Sequence, residues 1–347
     1  MNGRPGTHPP TEPNVHGTHN LGYGRDARRG SAPRQEGERP PVKRRIVRRG
    51  ALVAAATALL AMAAGGPAGA AGKWQQVGDD SSTGVSGVAY EATTGDTVKV
   101  LVVHDNKTTG PRLSRVTRRD GSASVSRLAW SGAKPVDLEA IEAVPGKSGE
   151  YLAIASRGIA YHLTVKGSKA TVVDYAPLPA IGTGDEYEGF ALISQHGKLA
   201  ALWADRGEGT KRPATLHAAS LSFADWGQPL FGDVTSTTYE SSYPTDDGTR
   251  HISDLSVTSS GRILASSASD AGDDGPFDSA VSSIGTVTVS AQATVGLAVT
   301  DSPRVLAKYP GHKVEAVECL PGTTDAFLGT DDENLGGSVR TAALCAD

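Results

Sequence analysis

Residues 186–207 read EYEGFALISQHGKLAALWADRG: an apolar run, a polar His-Gly-Lys turn, a second apolar run and a charged end. Runs of this length bounded by turn residues predict a β-hairpin rather than a helix. The same unit recurs four more times. VSGVAYEATTGDTVKVLVVHD spans 85–105, VDLEAIEAVPGKSGEYLAIASRG spans 136–158, HISDLSVTSSGRILASSASDAG spans 251–272 and KVEAVECLPGTTDAFLGTDDE spans 313–333. One Ser or Glu stands near the start of each: Ser86, Glu139, Glu188, Ser253 and Glu315. The polar ends of the second strands, Asp105, Arg157, Arg206, Asp270 and Asp332, follow at 19, 18, 18, 17 and 17 residues. Successive units lie 53, 49, 65 and 62 residues apart. Constant hairpins with variable connections are the mark of repeated units, because insertions collect in loops.

Each hairpin has apolar faces that it cannot bury alone. Repeats of about 55 residues fit four-stranded blades closed around an axis, so the fold class is all-β, a five-bladed β-propeller. A sixth blade within residues 213–250 is the alternative. Few residues follow the last hairpin, so residues 74–77 are expected to supply the outer strand of the last blade and close the ring. In a propeller the first strand of each blade lines the channel and the second returns antiparallel. Ser86, Glu139, Glu188, Ser253 and Glu315 therefore belong at the channel mouth. His104, Asp105, Ser156, Arg157, Asp205, Arg206, Asp270, Asp331, Asp332 and Glu333 belong just outside it. Three converging carboxylates repel one another, and calcium is the ion expected to relieve them, since it accepts six to eight oxygens, hydroxyls included.

The order Ser, Glu, Glu, Ser, Glu resembles the calcium site of the calcium-activated apyrases, secreted five-bladed propellers that hydrolyse nucleoside diphosphates. His251-Ile-Ser253 and the tail LPGTTDAFLGTDDENLGGSVRTAAL resemble the last two blades of that family. The resemblance implies that Ser86, Glu139, Glu188, Ser253 and Glu315 are calcium ligands. Asp137-Leu-Glu139-Ala-Ile and Glu186-Tyr-Glu188-Gly-Phe are similar to inner strands of phytase-like and SdiA-regulated propellers. The Arg-Arg strand end of the apyrases' fourth blade is replaced here by Ala268-Ser269-Asp270, which argues against a nucleotide. Independently of family, Arg157 and Arg206 could clamp an anion, and His104 beside Asp105 is the candidate general base. These four are the catalytic candidates.

The segment 42–60, VKRRIVRRGALVAAATALL, runs five basic residues into an Ala/Leu stretch and is followed by Ala68-Gly69-Ala70. This is the pattern of a signal peptide over 42–70. General secretion is expected ahead of the twin-arginine route. Residues 1–41 are expected to be a disordered tail or to precede the true start, and 71–347 to form one propeller domain. Residues 1–70 carry 11 Lys/Arg and 4 Asp/Glu, so the remaining 277 carry 23 basic and 34 acidic residues, a net charge of −11. That balance argues against nucleic acid as a partner. The apolar run is too short for a membrane span. Cys319 and Cys345 are the two cysteines, and export favours one disulfide over two free thiols.

Two motifs mislead. IEAVPGKS, 141–148, ends like a phosphate-binding loop but lacks its first glycine and precedes a strand. Asp270-Ala-Gly-Asp-Asp-Gly275 has Gly at the third position of a calcium loop and Val281 at the twelfth. The functional expectation is thus a secreted, monomeric, calcium-centred propeller that binds a small anionic or cell-surface ligand. The alternative is a calcium-dependent hydrolase of phosphate esters or nucleotides.

Overall fold

The sequence folds into four-stranded units because its second strands are apolar on both sides. In Lys198–Asp205 every residue from Ala200 onward is buried, since this strand lies between neighbouring blades. The outermost strand Val295–Lys308 faces solvent and alternates half-buried with exposed positions through much of its length. A computed structural model describes residues 72–119, 121–269 and 272–347. The expected disordered tail, the signal peptide and Asp270 lie outside these residues.

Blade 1 is Gly87–Thr94, Thr97–Val103, Leu113–Arg119 and Ser122–Arg127, each paired to the next. Blade 2 is Leu138–Ala143, Glu150–Ala155, Ile159–Lys166 and Lys169–Pro177, with Ala129–Ser131 added parallel to its outer edge. Blade 3 is Tyr187–Gln195, Lys198–Asp205 and Ala214–Phe223. Its outer edge is shared by Pro229–Phe231 and Thr235–Tyr239, which both pair with Ala214–Phe223. These two strands complete the third blade, so the region 213–250 holds no sixth. Blade 4 is Thr249–Val257, Arg262–Ser269, Ser279–Val289 and Val295–Lys308.

Blade 5 closes the ring. Val314–Cys319, Ala326–Thr330 and Ser338–Ala342 take their fourth strand from Gln75–Gln76, with Gln75 opposite Val339 and Gln76 opposite Ser338. The sequence expectation of closure by an N-terminal strand is met within this segment. A disulfide joins Cys319 on the inner strand to Cys345, 26 residues on, with Cα atoms 5.7 Å apart.

Each pair of adjacent blades encloses its own apolar cluster. Leu101 and Leu138 belong to the cluster between blades 1 and 2, Leu152 and Trp203 to that between 2 and 3. Leu202 and Ile252 join blades 3 and 4, Leu264 and Leu328 join 4 and 5, and Val102 and Phe327 join 5 and 1. Five such wedges make a radial fold, in which no blade is stable without its neighbours. At the axis the inner strands come so close that some positions admit no side chain. A Cβ on Gly87 would lie 2.6 Å from Ala140 Cα and 2.8 Å from the Glu139 carbonyl oxygen. Among the described residues no helix is long and apolar enough to cross a membrane.

Candidate active site

Four of the five ring positions, all but Ser86, lie at β-bulges, in which one strand carries extra residues that its partner does not match. Leu138 faces Ala155 and Ala140 faces Ile154, leaving Glu139 without an opposite residue. Glu188 is left over in the same way between Tyr187 and Gly189, and Glu315 between Val314 and Ala316. In blade 4 the register breaks between Arg250 and Asp254, around Ser253. A bulge re-aims its extra side chain, and these bulges gather the acids at one end of the channel.

There they line a polar cavity of about 280 Å³ together with Asp105, Ser156, Glu186 and Asp331. Four cations share it: Lys107, Arg206, Arg250 and Lys313. One nitrogen of Arg250, Nη1, lies 2.8 Å from Glu315 Oε1 and 3.1 Å from Glu188 Oε1. Lys313, only 1% exposed, puts its Nζ 3.1 Å from Glu315 Oε1 and also pairs with Glu333. Burial opposes the charge of Lys313, but Glu315, with Asp331 and Glu333, more than offsets it and the pKa is raised. Arg206 Nη2 lies 2.6 Å from Glu186 Oε2 and its Nη1 3.3 Å from Glu188 Oε1.

Glu139 stands apart, with no hydrogen-bond or ion-pair partner among the described residues. Burial, then the charges of Glu188, Asp105, Asp137 and Glu315, push its pKa well above the usual carboxylate range. Burial also raises Glu188, to about 7, against the opposing pull of Arg250. Asp331 is pushed well up by burial and by Glu315, and Asp105 is raised by the same two causes. The cavity therefore holds carboxyls that cations pair, Glu186, Glu188, Glu315 and Glu333, beside carboxyls with no ion pair among the described residues whose proton affinity is raised, Glu139, Asp105 and Asp331.

The other sequence candidates have different surroundings. His104 points into blade 1, with Nδ1 2.5 Å from the Gly84 carbonyl oxygen and Nε2 2.9 Å from Ser114 Oγ. Burial lowers its pKa to about 4, and it lies outside the cavity lining. Both ring nitrogens of His104 are thus engaged inside blade 1. Arg157 is exposed, 4.0 Å from Glu186, and also lies outside the lining. Asp205 accepts from the Thr215 and Gly207 amides at 2.5 and 3.2 Å and pairs with Arg212, holding a loop. Asp332 likewise accepts from the Lys313 amide at 2.7 Å and from His312 at 2.9 Å. Arg250 and Lys313 are site residues that the repeat spacing misses, because each precedes the aligned position.

These two cations also bear on calcium. Among the described residues no group of three or more His, Cys, Asp and Glu side chains is arranged to hold a metal ion. The hydroxyls of Ser86 and Ser253 and the Oε2 of Glu188 are buried oxygens with no hydrogen-bond partner. Arg250 and Lys313 already hold Glu188 and Glu315, so of the expected calcium ligands only Glu139 keeps a carboxyl with no ion pair among the described residues.

No protein-family model and no curated protein matches the chain. Among solved structures it is similar to an α-L-arabinofuranosidase from Podospora anserina, with 12% identity over 80% of this chain and 98% of that one, TM-score 0.43. It is similar to an α-L-arabinanase from Cellvibrio cellulosa, with 12% identity over 77% and 92%, TM-score 0.44. A protein described as a glycoside hydrolase has 10% identity over 76% and 61%, TM-score 0.45. These structures are neither apyrases nor phytase-like propellers, which corrects the resemblance drawn from the repeat cores. They are described as glycoside hydrolases, not as ligand-binding proteins or phosphate-ester hydrolases of the kind expected from the sequence. The cavity lining carries seven acidic side chains and four basic ones. Five blades of antiparallel strands around one channel are what this chain has in common with them.

Proposed function

We propose that the protein hydrolyses a glycosidic bond at a terminal sugar residue, using Glu139 as general acid and Glu315 as general base. The observation that carries this reading is the split between the two. Glu139 is ion-paired to no cation among the described residues and has a raised proton affinity, whereas Glu315 is ion-paired to both Arg250 and Lys313. A carboxyl with raised proton affinity in the same cavity as an ion-paired carboxylate makes the acid and base pair that glycoside hydrolysis requires. The protonated carboxyl gives its proton to the leaving oxygen, and the ion-paired carboxylate takes one from the attacking water.

The surroundings suit a neutral, hydroxyl-rich substrate. Excess acid in the lining repels phosphates but favours the positive charge that develops on a sugar ring as the bond breaks. Arg206, Lys107 and Ser156 offer donors to hydroxyl oxygens. At about 280 Å³ the cavity is at the small end for ligand sites, which argues for one terminal residue.

The test is a panel of alkyl and 4-nitrophenyl glycosides with the purified protein. Turnover is expected, with Glu139→Gln lowering kcat on alkyl glycosides by about 100-fold or more. The loss should be smaller on 4-nitrophenyl glycosides, whose leaving group needs no proton. Activity should fall as pH rises through the raised pKa of Glu139, because the protonated form does the work. Absence of turnover across the panel, or equal losses on both leaving groups, overturns the assignment.

A further inference from the structure

At the opposite end of the channel, where the inner strands finish, lies a larger cavity of about 540 Å³. Its floor holds a second pair of carboxyls, Glu142 and Glu318, each three residues beyond a ring glutamate in the matching runs Glu139-Ala-Ile-Glu142 and Glu315-Ala-Val-Glu318. Three residues of strand carry them roughly 10 Å down the axis. Glu142 is 7% exposed, lines the cavity, and has no hydrogen-bond or ion-pair partner among the described residues. Glu318, equally buried, accepts only from the Tyr90 amide at 3.2 Å.

The neighbouring charges are already matched. Glu91 is held by Arg115 at 2.5 Å, and Glu150 by Lys147 at 3.3 Å and His162 at 2.9 Å. Asp254, which acts on both Glu142 and Glu318 through its charge, accepts from the Leu255 and Val317 amides, each at 2.8 Å. Beside Lys147, Ser148 and Ser256, the lining offers the unmatched pair apolar and aromatic side chains, among them Tyr90, Tyr151 and Leu192.

We propose that this cavity is a second binding site, for an organic cation: a primary ammonium that bridges Glu142 and Glu318, carried on an apolar body that packs against the two tyrosines. An ammonium supplies donors to both carboxyls and the positive charge they lack, and tyrosine faces add cation–π attraction. A bare metal ion is the poorer occupant, given a cavity of this size and two free carboxyls. The site is independent of the glycosidase reading.

Burial raises both groups, Glu318 to about 8 and Glu142 well above its ordinary value. Burial therefore favours the protonated form of both groups, and a bound cation opposes it. Binding should tighten as pH rises.

Calorimetric titration of the full protein with benzylamine at pH 8.5, against benzyl alcohol of the same shape, tests this. One saturable site for benzylamine is expected, absent for the alcohol and weakened at least 10-fold at pH 6. Glu142→Gln and Glu318→Gln should each weaken it at least 10-fold, while Glu188→Gln at the other mouth leaves it unchanged. The pH series on the unaltered protein stands even if a variant fails to fold. No saturable binding of benzylamine, equal binding of the alcohol, or binding indifferent to both Gln variants overturns the site.

Discussion

Arg250 meets two carboxylates through a single nitrogen, so removing it leaves Glu188 and Glu315 facing each other inside the channel. Arg250→Ala should lower stability by about 3–5 kcal/mol, the usual loss when one partner of a buried ion pair is deleted, read from the urea midpoint. Arg250→Lys should recover only part of it, since an ammonium is more strongly hydrated than a guanidinium and costs more to bury. The glutamates of this cluster were legible in the sequence because they repeat at constant spacing. Arg250 was not, because a run opposite a bulge loses the two-residue period on which strand reading depends. His104 shows the same limit. It adjoins Asp105 at a strand end, and successive residues there point to opposite sides, so only one of the two can reach the cavity. Sequence alone does not say which.

The inner strands show two departures from regularity: bulges that aim side chains, and in blades 1 and 3 a glycine, Gly87 and Gly189, that lets the neighbouring blade approach. Gly87→Ala would put a methyl against Ala140 and the Glu139 carbonyl. A loss of about 1–3 kcal/mol is expected, as for overpacking elsewhere, with a drop in activity that exceeds what the remaining folded fraction explains. A fall in activity that only tracks stability would mean that Glu139 is not held by this contact. The five hairpins and the closing strand were readable from turn residues and apolar runs. The bulges were not, because one extra residue in a strand leaves no mark in composition. The repeated Glu-Ala-Ile/Val-Glu in blades 2 and 5 was visible all along. It gains meaning only once blades 2 and 5 are seen to face one channel.

Across the molecule, buried carboxyls with raised pKa values dominate: Glu139, Glu142, Asp254 and Asp331 well up, and Glu318 at about 8. Each keeps its proton in the folded chain at a pH where the unfolded chain has released it. The folded state thus binds more protons, and stability falls as pH rises from about 5 toward 8, by up to about 1.4 kcal/mol per pH unit for each group. Urea midpoints at pH 5, 6.5 and 8 should decline in that order, and Glu142→Gln should flatten the decline. A midpoint that climbs with pH would contradict it. The disulfide acts through the unfolded chain: closing a 26-residue loop contributes about 3.5 kcal/mol, which Cys319→Ala with Cys345→Ala should remove.

The first and last described segments meet in blade 5 on unequal terms. Gln75–Gln76 is held by two paired residues at an outer edge, whereas Cys345 is bonded to the innermost strand at Cys319. Under mechanical load the molecule is therefore directional. A pull on the N-terminal side peels away its shortest strand and opens the ring at low force, while a pull at the C-terminus runs into a covalent bond at the axis and must tear a blade from its neighbours.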